Sequence, residues 1–429
     1  MNWIKVTALA LLLLILAQLN RWSVFDKLFF MLLGLLLLSY LWSRLSLRGL
    51  VLTRQTLSDR AQVGDLLIER LRVENQSRFS KLWVEVLDQS TLPGHQVSRV
   101  IRLGPHDVAN WKVQTWCARR GRFRLGPMTL ASGDPFGLFS VRKVVPYEHE
   151  LIVYPATVDL TGFRLPFGES TGGNALQRRT PFVTPNAASV RDYVPGDSFN
   201  RIAWSVTART GRLMVKEFEL DPSADLWIVV DGDSRHHVRA PASDHLPPAV
   251  AGTSNSRLPL RYWLDSTEEY AVTVAASLAR YFLDQNHAVG VILNTREPVV
   301  VPADRGARQL VKILEHLAVL QADGMRRLDQ VLAEDLGLVN RRSILAVITP
   351  SPEEAWVRAL VDLAERQIRS IAIVIEPSTF TSGKPQTLAP VASLAALGVP
   401  TILIKYGDDI ARALTSPAWS ATLATSNWA

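Results

Sequence analysis

The chain has 429 residues, one cysteine and a formal charge of +7. That length supports two or three domains with sizeable cores. The lone Cys117 excludes an intrachain disulfide framework and fits a reducing compartment, its ordinary role being that of a buried small hydrophobe. The charge excess is modest, and the basic residues form no long tract of the kind that binds nucleic acid.

Two apolar runs open the chain, residues 6–19 and 28–42, separated by a short polar turn containing Asn20, Arg21, Asp26 and Lys27. Each is slightly shorter than the ~20 residues that cross a bilayer as a helix. Trp3, Trp22, Phe25, Tyr40 and Trp42 stand at the ends of the runs, where amphipathic aromatics anchor at the interface, and Lys5 is placed to snorkel. A signal peptide would need a small-residue cleavage site, which Ala17, Gln18, Leu19 and Asn20 do not supply. The buried helical hairpin of a soluble protein is the other alternative. The expected element is a transmembrane helical hairpin over residues 1–45. Lys5 precedes it and Arg44, Arg48 and Arg54 follow, whereas the turn carries two basic residues against one acidic, so the positive-inside rule puts both ends in the cytoplasm.

Residues 46–160 read as short strands, among them VLTRQTL, LLIERLRVEN, KLWVEVLDQ, ANWKVQTWCA and ELIVYP. Asn75 with Gln76, Pro93 with Gly94, Gly104 with Pro105, and the stretch from 133 to 135 break them at near-regular spacing. Such spacing predicts an immunoglobulin-like β-sandwich of about seven strands. Gly121 and Gly126, bracketing RFRL, read as turn positions rather than a phosphate cradle. A connector over residues 161–223 begins with a loop rich in Gly, Pro, Ser and Thr, in which Arg178 and Arg179 read as solvated.

The connector ends in a dense segment, RDYVPGDSFNRIAWSVTARTGRLMVKEFE, residues 191–219. Pro195 and Gly196 signal a turn, with Asp197 able to accept backbone hydrogen bonds just beyond it. Ile202, Trp204 and Val206 alternate with smaller residues, which predicts an extended segment carrying the indole inward; Leu213 and Val215 predict a second strand. Arg191, Asp197, Arg201 and Arg209 would then lie near one another. They read either as a charge network seating the connector or as a surface for a partner protein.

The order Arg191, Tyr193, Pro195, Gly196, Asp197, then Arg201, Trp204, Arg209, Lys216 and Glu217, resembles the signature of a bacterial family called domain of unknown function 58. A second block, RRGRFRLGPMTLASGDPFGLF over residues 119–139, is similar to the segment that precedes that signature in the family. The resemblance implies a membrane-anchored bacterial protein, which with the hairpin and its basic flanks gives a multi-pass protein of the bacterial cytoplasmic membrane with both termini in the cytoplasm. It fixes architecture better than activity, because the family has no established chemistry.

From residue 224 to 429 strands alternate with helices, which predicts a mostly parallel sheet covered on both faces. The expected strands are 226–230, 289–293, 344–348, 371–375 and 401–404. Ser266 through Glu269 supply a capping box for a helix running to about Asn286, and Ser351, Pro352, Glu353 and Glu354 another helix start. An insert from 236 to 259 reads as a loop.

The resemblance and the strand order together suggest similarity to a von Willebrand factor A domain, which often holds a divalent cation through an Asp-x-Ser-x-Ser loop. Here the loop is Asp231, Gly232, Asp233, Ser234, Arg235. Asp231 matches; Asp233 and Arg235 replace the serines, and Thr349, Pro350 and Ser351 offer no carboxylate. Asp231 and Asp233 remain the metal candidates, at a strand's C-terminal end where open α/β sheets bind ligands. The adjacent His236 and His237 lack the one-face spacing of a helical zinc pair. Neither a nucleophile elbow nor a phosphate loop is present; Gly383 and Lys384 are followed by Pro385. The expected protein is a non-enzymatic, membrane-anchored scaffold without a cofactor, with a MoxR-type AAA+ ATPase the partner implied by the resemblance. The alternative is a metal-dependent enzyme using Asp231 and Asp233.

Overall fold

The computed structural model describes residues 2–20, 22–56, 58–163, 187–192, 202–218, 225–241, 260–334, 337, 339, 343–366 and 368–416. The chain divides into two compact units. One comprises Met1–Thr157, Arg239–Ala276 and Val311–Gln321; the other comprises Val158–Val238, Ser277–Leu310 and Ala322–Ala429.

The first unit opens with helices α1 (Asn2–Asn20) and α2 (Ser23–Ser46), which pack on one another. Ala10 and Ala17 of α1 are buried, as are Leu36, Ser39, Ser43 and Ser46 of α2, spaced so that they share one helical face. Small residues on such faces let helix backbones approach closely. Leucines of both helices are left exposed outside that seam, Leu11, Leu12, Leu33, Leu37 and Leu38 among them. Among the described residues α2 is long and apolar enough to cross a membrane, and α1 is a shorter apolar helix.

Ten strands follow: β1 (Leu50–Thr56), β2 (Arg60–Gln62), β3 (Leu66–Asn75), β4 (Lys81–Asp88), β5 (Arg99–Leu103), β6 (Val108–Trp116), β7 (Gly121–Leu125), β8 (Met128–Gly133), β9 (Ser140–Val145) and β10 (His149–Tyr154). They form sheets ordered β1-β3-β6, β5-β4-β8-β9 and β2-β10-β7. Alternation explains the core. On β3, Leu67, Leu71 and Val73 are buried while Arg70 and Arg72 face solvent. Leu71 and Val73 pack with Val84, Val86, Leu103, Met128 and Leu130 in one apolar cluster, and Leu67 joins Leu125, Leu151 and Val153 in another. Cys117 is fully buried, and burial pushes its thiol up to about 12, as expected of an inert thiol.

Glu69 occupies a core-facing position of β3 and breaks this pattern. Arg54 on β1 donates to its two carboxylate oxygens at 3.0 and 2.8 Å and to Asp88 on β4 at 3.1 Å. His95 Nε2 lies 3.1 Å from Glu69 and 3.3 Å from Asp88, while its Nδ1 is 2.8 Å from the Thr115 hydroxyl. A charge buried in a sheet is tolerated only with partners of this kind.

In the second unit β11 (Ala187–Asp192) pairs antiparallel with β12 (Met214–Phe218), with α3 (Trp204–Thr210) between them in sequence. The helix replaces the extended segment expected at 202–206. Gly211, left-handed at φ 68°, ends it with an N–H bond to the Thr207 carbonyl. The 3.6-residue period turns Trp204, Ser205, Ala208 and Arg209 outward, so the indole is 65% exposed rather than buried. Ile202, Ala203 and Val215 are the buried anchors instead.

The remaining elements are β13 (Leu226–Asp231), α4 (Thr267–Asp284), β14 (Val289–Asn294), β15 (Val299–Asp304), α5 (Ala307–Val319), α6 (Leu328–Glu334), β16 (Ile344–Thr349), α7 (Ala355–Glu365), β17 (Arg369–Ile375), α8 (Leu388–Ala396), β18 (Thr401–Ile404) and α9 (Ile410–Thr415). The six strands run in the order β15-β14-β13-β16-β17-β18, all parallel except β15. The five expected strands are present. β15 is unexpected because Pro298 and Pro302 bracket its centre; as an edge strand it tolerates proline. Ser266 caps α4 as its sequence predicts, its hydroxyl accepting from the Glu269 N–H at 3.2 Å. Trp227, Val229, Ile292, Leu345, Val347 and Val374 form an apolar core with residues of α6, α7 and α8.

Candidate functional site

Strands β13, β14 and β16 are each buried along their whole length, and each closes on a polar residue: Asp231, Asn294 and Thr349. β14 lies on one side of β13 and β16 on the other, so Asp231 sits at the C-terminal edge where the winding of the sheet reverses. Ligands of open α/β sheets bind at such a point.

The Asp231 carboxylate is surrounded by donors. Thr349 Oγ1 donates to Oδ2 at 2.6 Å, and Oδ1 accepts from Asn294 Nδ2 at 3.1 Å and from the Asp233 N–H at 3.1 Å. Nε2 of His237 donates to the Asp231 carbonyl at 2.7 Å. The loop is clasped by backbone: Gly324 N–H donates to Gly232 O at 2.9 Å, and Ser234 N–H donates to Gly324 O at 3.1 Å.

Asp233 is equally buried but engaged differently. Arg235 Nε approaches its two oxygens at 2.9 and 3.1 Å, and Nη2 closes a fork on Oδ2. Burial opposes the Asp233 charge, yet the Arg235 guanidinium and backbone N–H outweigh it and hold the carboxyl below its usual range. The same hydrogen bonds raise Arg235 further. Outside this pair, Glu353 lies 3.6 Å from Arg235, 3.3 Å from Arg327 and 3.6 Å from His236.

These side chains fit a divalent cation poorly. Hard cations take about six or more oxygens, whereas both oxygens of Asp231 already face N–H or O–H donors and Asp233 is forked by a guanidinium. Among the described residues no group of three or more His, Cys, Asp or Glu is placed to hold a metal ion. Asn294 Oδ1, buried without a hydrogen-bond partner, is the acceptor left over.

The signature residues are placed by the structure as follows. Arg191 lies on β11 opposite Val215, and Lys216 and Glu217 lie on β12 opposite Val190 and Ser189. Trp204 and Arg209 lie on the outer face of α3. Tyr193, Pro195, Gly196, Asp197 and Arg201 lie outside the described residues, as do Arg178 and Arg179, so the expected arginine and aspartate network falls there too. The residues that sequence reasoning missed are Asn294, Glu353 and Arg327. The polar residue ending each buried strand was the available signal for Asn294.

Residues 189–246, which hold α3, β12, β13 and the Asp231 loop, match the family model described as "Protein of unknown function DUF58". Over this segment the chain is similar to the DUF58 family. An uncharacterised protein, YeaD of Bacillus subtilis (strain 168), is 25% identical over 221 residues, 51% of this chain and 47% of the relative. The chain thus spans about half the length of that curated relative. Among solved structures, the CARDB domain of the PF1109 protein from Pyrococcus furiosus is similar over 24% of the chain and 86% of its own length, at 13% identity and a TM-score of 0.20. The C-terminal domain of wzt matches 25% of the chain and 75% of its own length, at 12% identity and a TM-score of 0.19. Neither likeness bears on activity.

Proposed function

We propose that this protein is a membrane-anchored scaffold whose cytosolic regions bind partner proteins, with α1 and α2 as a two-pass anchor, an immunoglobulin-like β region and a von Willebrand A-like α/β region. The observation that carries the reading is the exposed indole of Trp204 within the family-matched segment, 65% open on a helix whose outer face also presents Arg209. Exposed tryptophan and arginine are the residue types enriched in protein-binding hot spots. The Asp231 cluster supports the same reading, since its carboxylates are spent on internal hydrogen bonds and an ion pair. Trp3 near the start of α1 and Tyr40 near the end of α2 both contact Phe139, which supports a hairpin whose outer ends lie together, and the flanking Lys5, Arg44 and Arg48 support the cytoplasm as their side.

The partner expected from the family resemblance is a MoxR-type AAA+ ATPase acting with the scaffold on a client. Affinity capture of the full chain from membranes, read by mass spectrometry beside a Trp204→Ala comparator, tests this. Recovery of such an ATPase that falls with the variant supports the proposal; equal recovery from both, or none, overturns it. A reporter fused at Ala429 should behave as cytosolic. A second reading, a divalent-metal-dependent enzyme using Asp231 and Asp233, is favoured by the unpartnered Asn294 Oδ1 beside Asp231.

A further inference from the structure

The segment GDPFGLF, residues 133–139, forms the tip between β8 and β9, and its shape is fixed internally. The buried Asp134 carboxylate accepts from the Phe136 N–H at 2.9 Å and the Phe139 N–H at 2.6 Å, and Gly137 takes φ 67°. A Cβ at Gly133 would stand 2.6 Å from the Phe139 carbonyl oxygen, so the chain must be glycine there to close the tip. This rigid turn presents two phenyl rings in different surroundings. Phe139 lies against the helices, stacked with Trp3 at 6.2 Å and edge-on to Tyr40 at 5.8 Å. Phe136 is 58% exposed.

Trp3 and Tyr40 mark a level. They stand near the start of α1 and toward the end of α2, and Tyr and Trp at helix ends sit at the headgroup layer of a bilayer. Arg44, one turn beyond Tyr40, places its guanidinium 5.4 Å from the Tyr40 ring centre and donates to the Tyr40 hydroxyl at 3.2 Å, which puts a cation in the same layer. The tip is held at that level by more than ring contacts. Lys81 on β4 donates to the Leu45 carbonyl of α2 at 2.7 Å, and Leu47 and Leu50, just after α2, join the core of the β region.

We infer that the β8–β9 tip is an interfacial foot: Phe136 enters the headgroup layer of the membrane that α1 and α2 span, and the partner of this surface is the lipid bilayer itself. An aromatic with an apolar face suits that layer, and an anionic headgroup complements Arg44. The foot would fix the tilt and height of the β region above the membrane rather than leave it on a tether. The inference rests on the membrane reading of α1 and α2.

Site-directed spin labelling of the full chain tests it in vesicles of phosphatidylcholine and phosphatidylglycerol. Native Cys117 is fully buried, so single cysteines placed by Phe136→Cys, Leu33→Cys on α2 and Val100→Cys on β5 can be labelled selectively. The expected result is stronger collision with oxygen than with a water-soluble nickel chelate at 33 and at 136, and the reverse at 100. Lipid accessibility at 33 with a water-like response at 136 overturns the foot and leaves the anchor standing. A water-like response at 33 removes the anchor and the foot together.

Discussion

The ammonium of Lys81, nearly fully buried on β4, donates to the carbonyl oxygen of Leu45 at 2.7 Å. Leu45 belongs to the last turn of α2, whose final carbonyls lack intrahelical donors and carry the negative end of the helix dipole. Burial pushes the Lys81 ammonium's pKa down, because desolvation disfavours the charged form. Replacing it by an apolar group removes the short, charged donor and leaves that carbonyl the weaker Arg48 N–H at 3.3 Å. Lys81→Leu should therefore lower stability by about 1–3 kcal/mol, read from melting of the detergent-solubilised protein. Unchanged melting would mean that water reaches that carbonyl.

The buried cluster of Arg54, Glu69, Asp88 and His95 makes stability depend on pH in two windows. Burial works against the Glu69 charge, but hydrogen bonds from His95 and Arg54 hold its carboxyl at about 2, below its ordinary 4.5. That stabilisation is present above about pH 4.5 and is lost as pH falls toward 2. Burial also opposes the His95 charge, yet Asp88 and Glu69 raise it above the ordinary 6.5. Its contribution is complete below pH 6.5 and disappears as pH rises through the raised value. The melting temperature should fall at both ends, and His95→Gln should flatten the alkaline limb. Parallel profiles for variant and parent would contradict this. Removing one partner outright, as in Arg54→Ala, should cost about 3–5 kcal/mol because it strands buried carboxylates.

At the Asp231 loop the expected response to magnesium is small. A cation would have to displace Arg235 from Asp233 and the Thr349 and Asn294 donors from Asp231. Millimolar magnesium should leave the melting temperature nearly unchanged, in the parent as in Asp231→Asn. A gain above about 1 kcal/mol, abolished by that substitution, is what linkage demands of a bound ligand and would favour the metal-dependent reading.

Trp204→Ala should separate binding from folding. An exposed side chain contributes little to stability, so the variant should melt within about 0.5 kcal/mol of the parent. Its partner recovery should nevertheless drop. Aggregated or proteolysed protein would show that the indole is covered in solution and serves the fold.

How much of this was legible in the sequence follows the strength of the local patterns. The apolar runs became α1 and α2, and the Val- and Ile-rich runs became parallel strands, β13, β14 and β16 because whole-length burial leaves no other composition. The Trp204 segment misled because ILE-x-TRP-x-VAL alternation over five residues is too short to tell a strand from one turn of helix, and Gly211 decides the matter from outside it. Glu69 and His95 were invisible as a pair: 26 positions separate them, and only the packing of β3 against the segment after β4 brings them together. At the candidate site Asp231 and Asp233 were legible from their place after a buried strand. The partners of Asp231 come from β14 and β16, which no local pattern reports, whereas Arg235, the partner of Asp233, stands two residues on in the same loop.

Gly324 faces the Asp231 loop with no side chain at all, and there a Cβ would stand 2.5 Å from the Asn294 carbonyl oxygen and 2.9 Å from that of Gly232. A single methyl at this position works as a chock. Gly324→Ala would push the loop away from the end of β14 while every carboxylate, hydroxyl and guanidinium of the cluster kept its chemistry. Position 324 is thus a mechanical control for the site, able to divide what the Asp231 loop does by shape from what it does by charge.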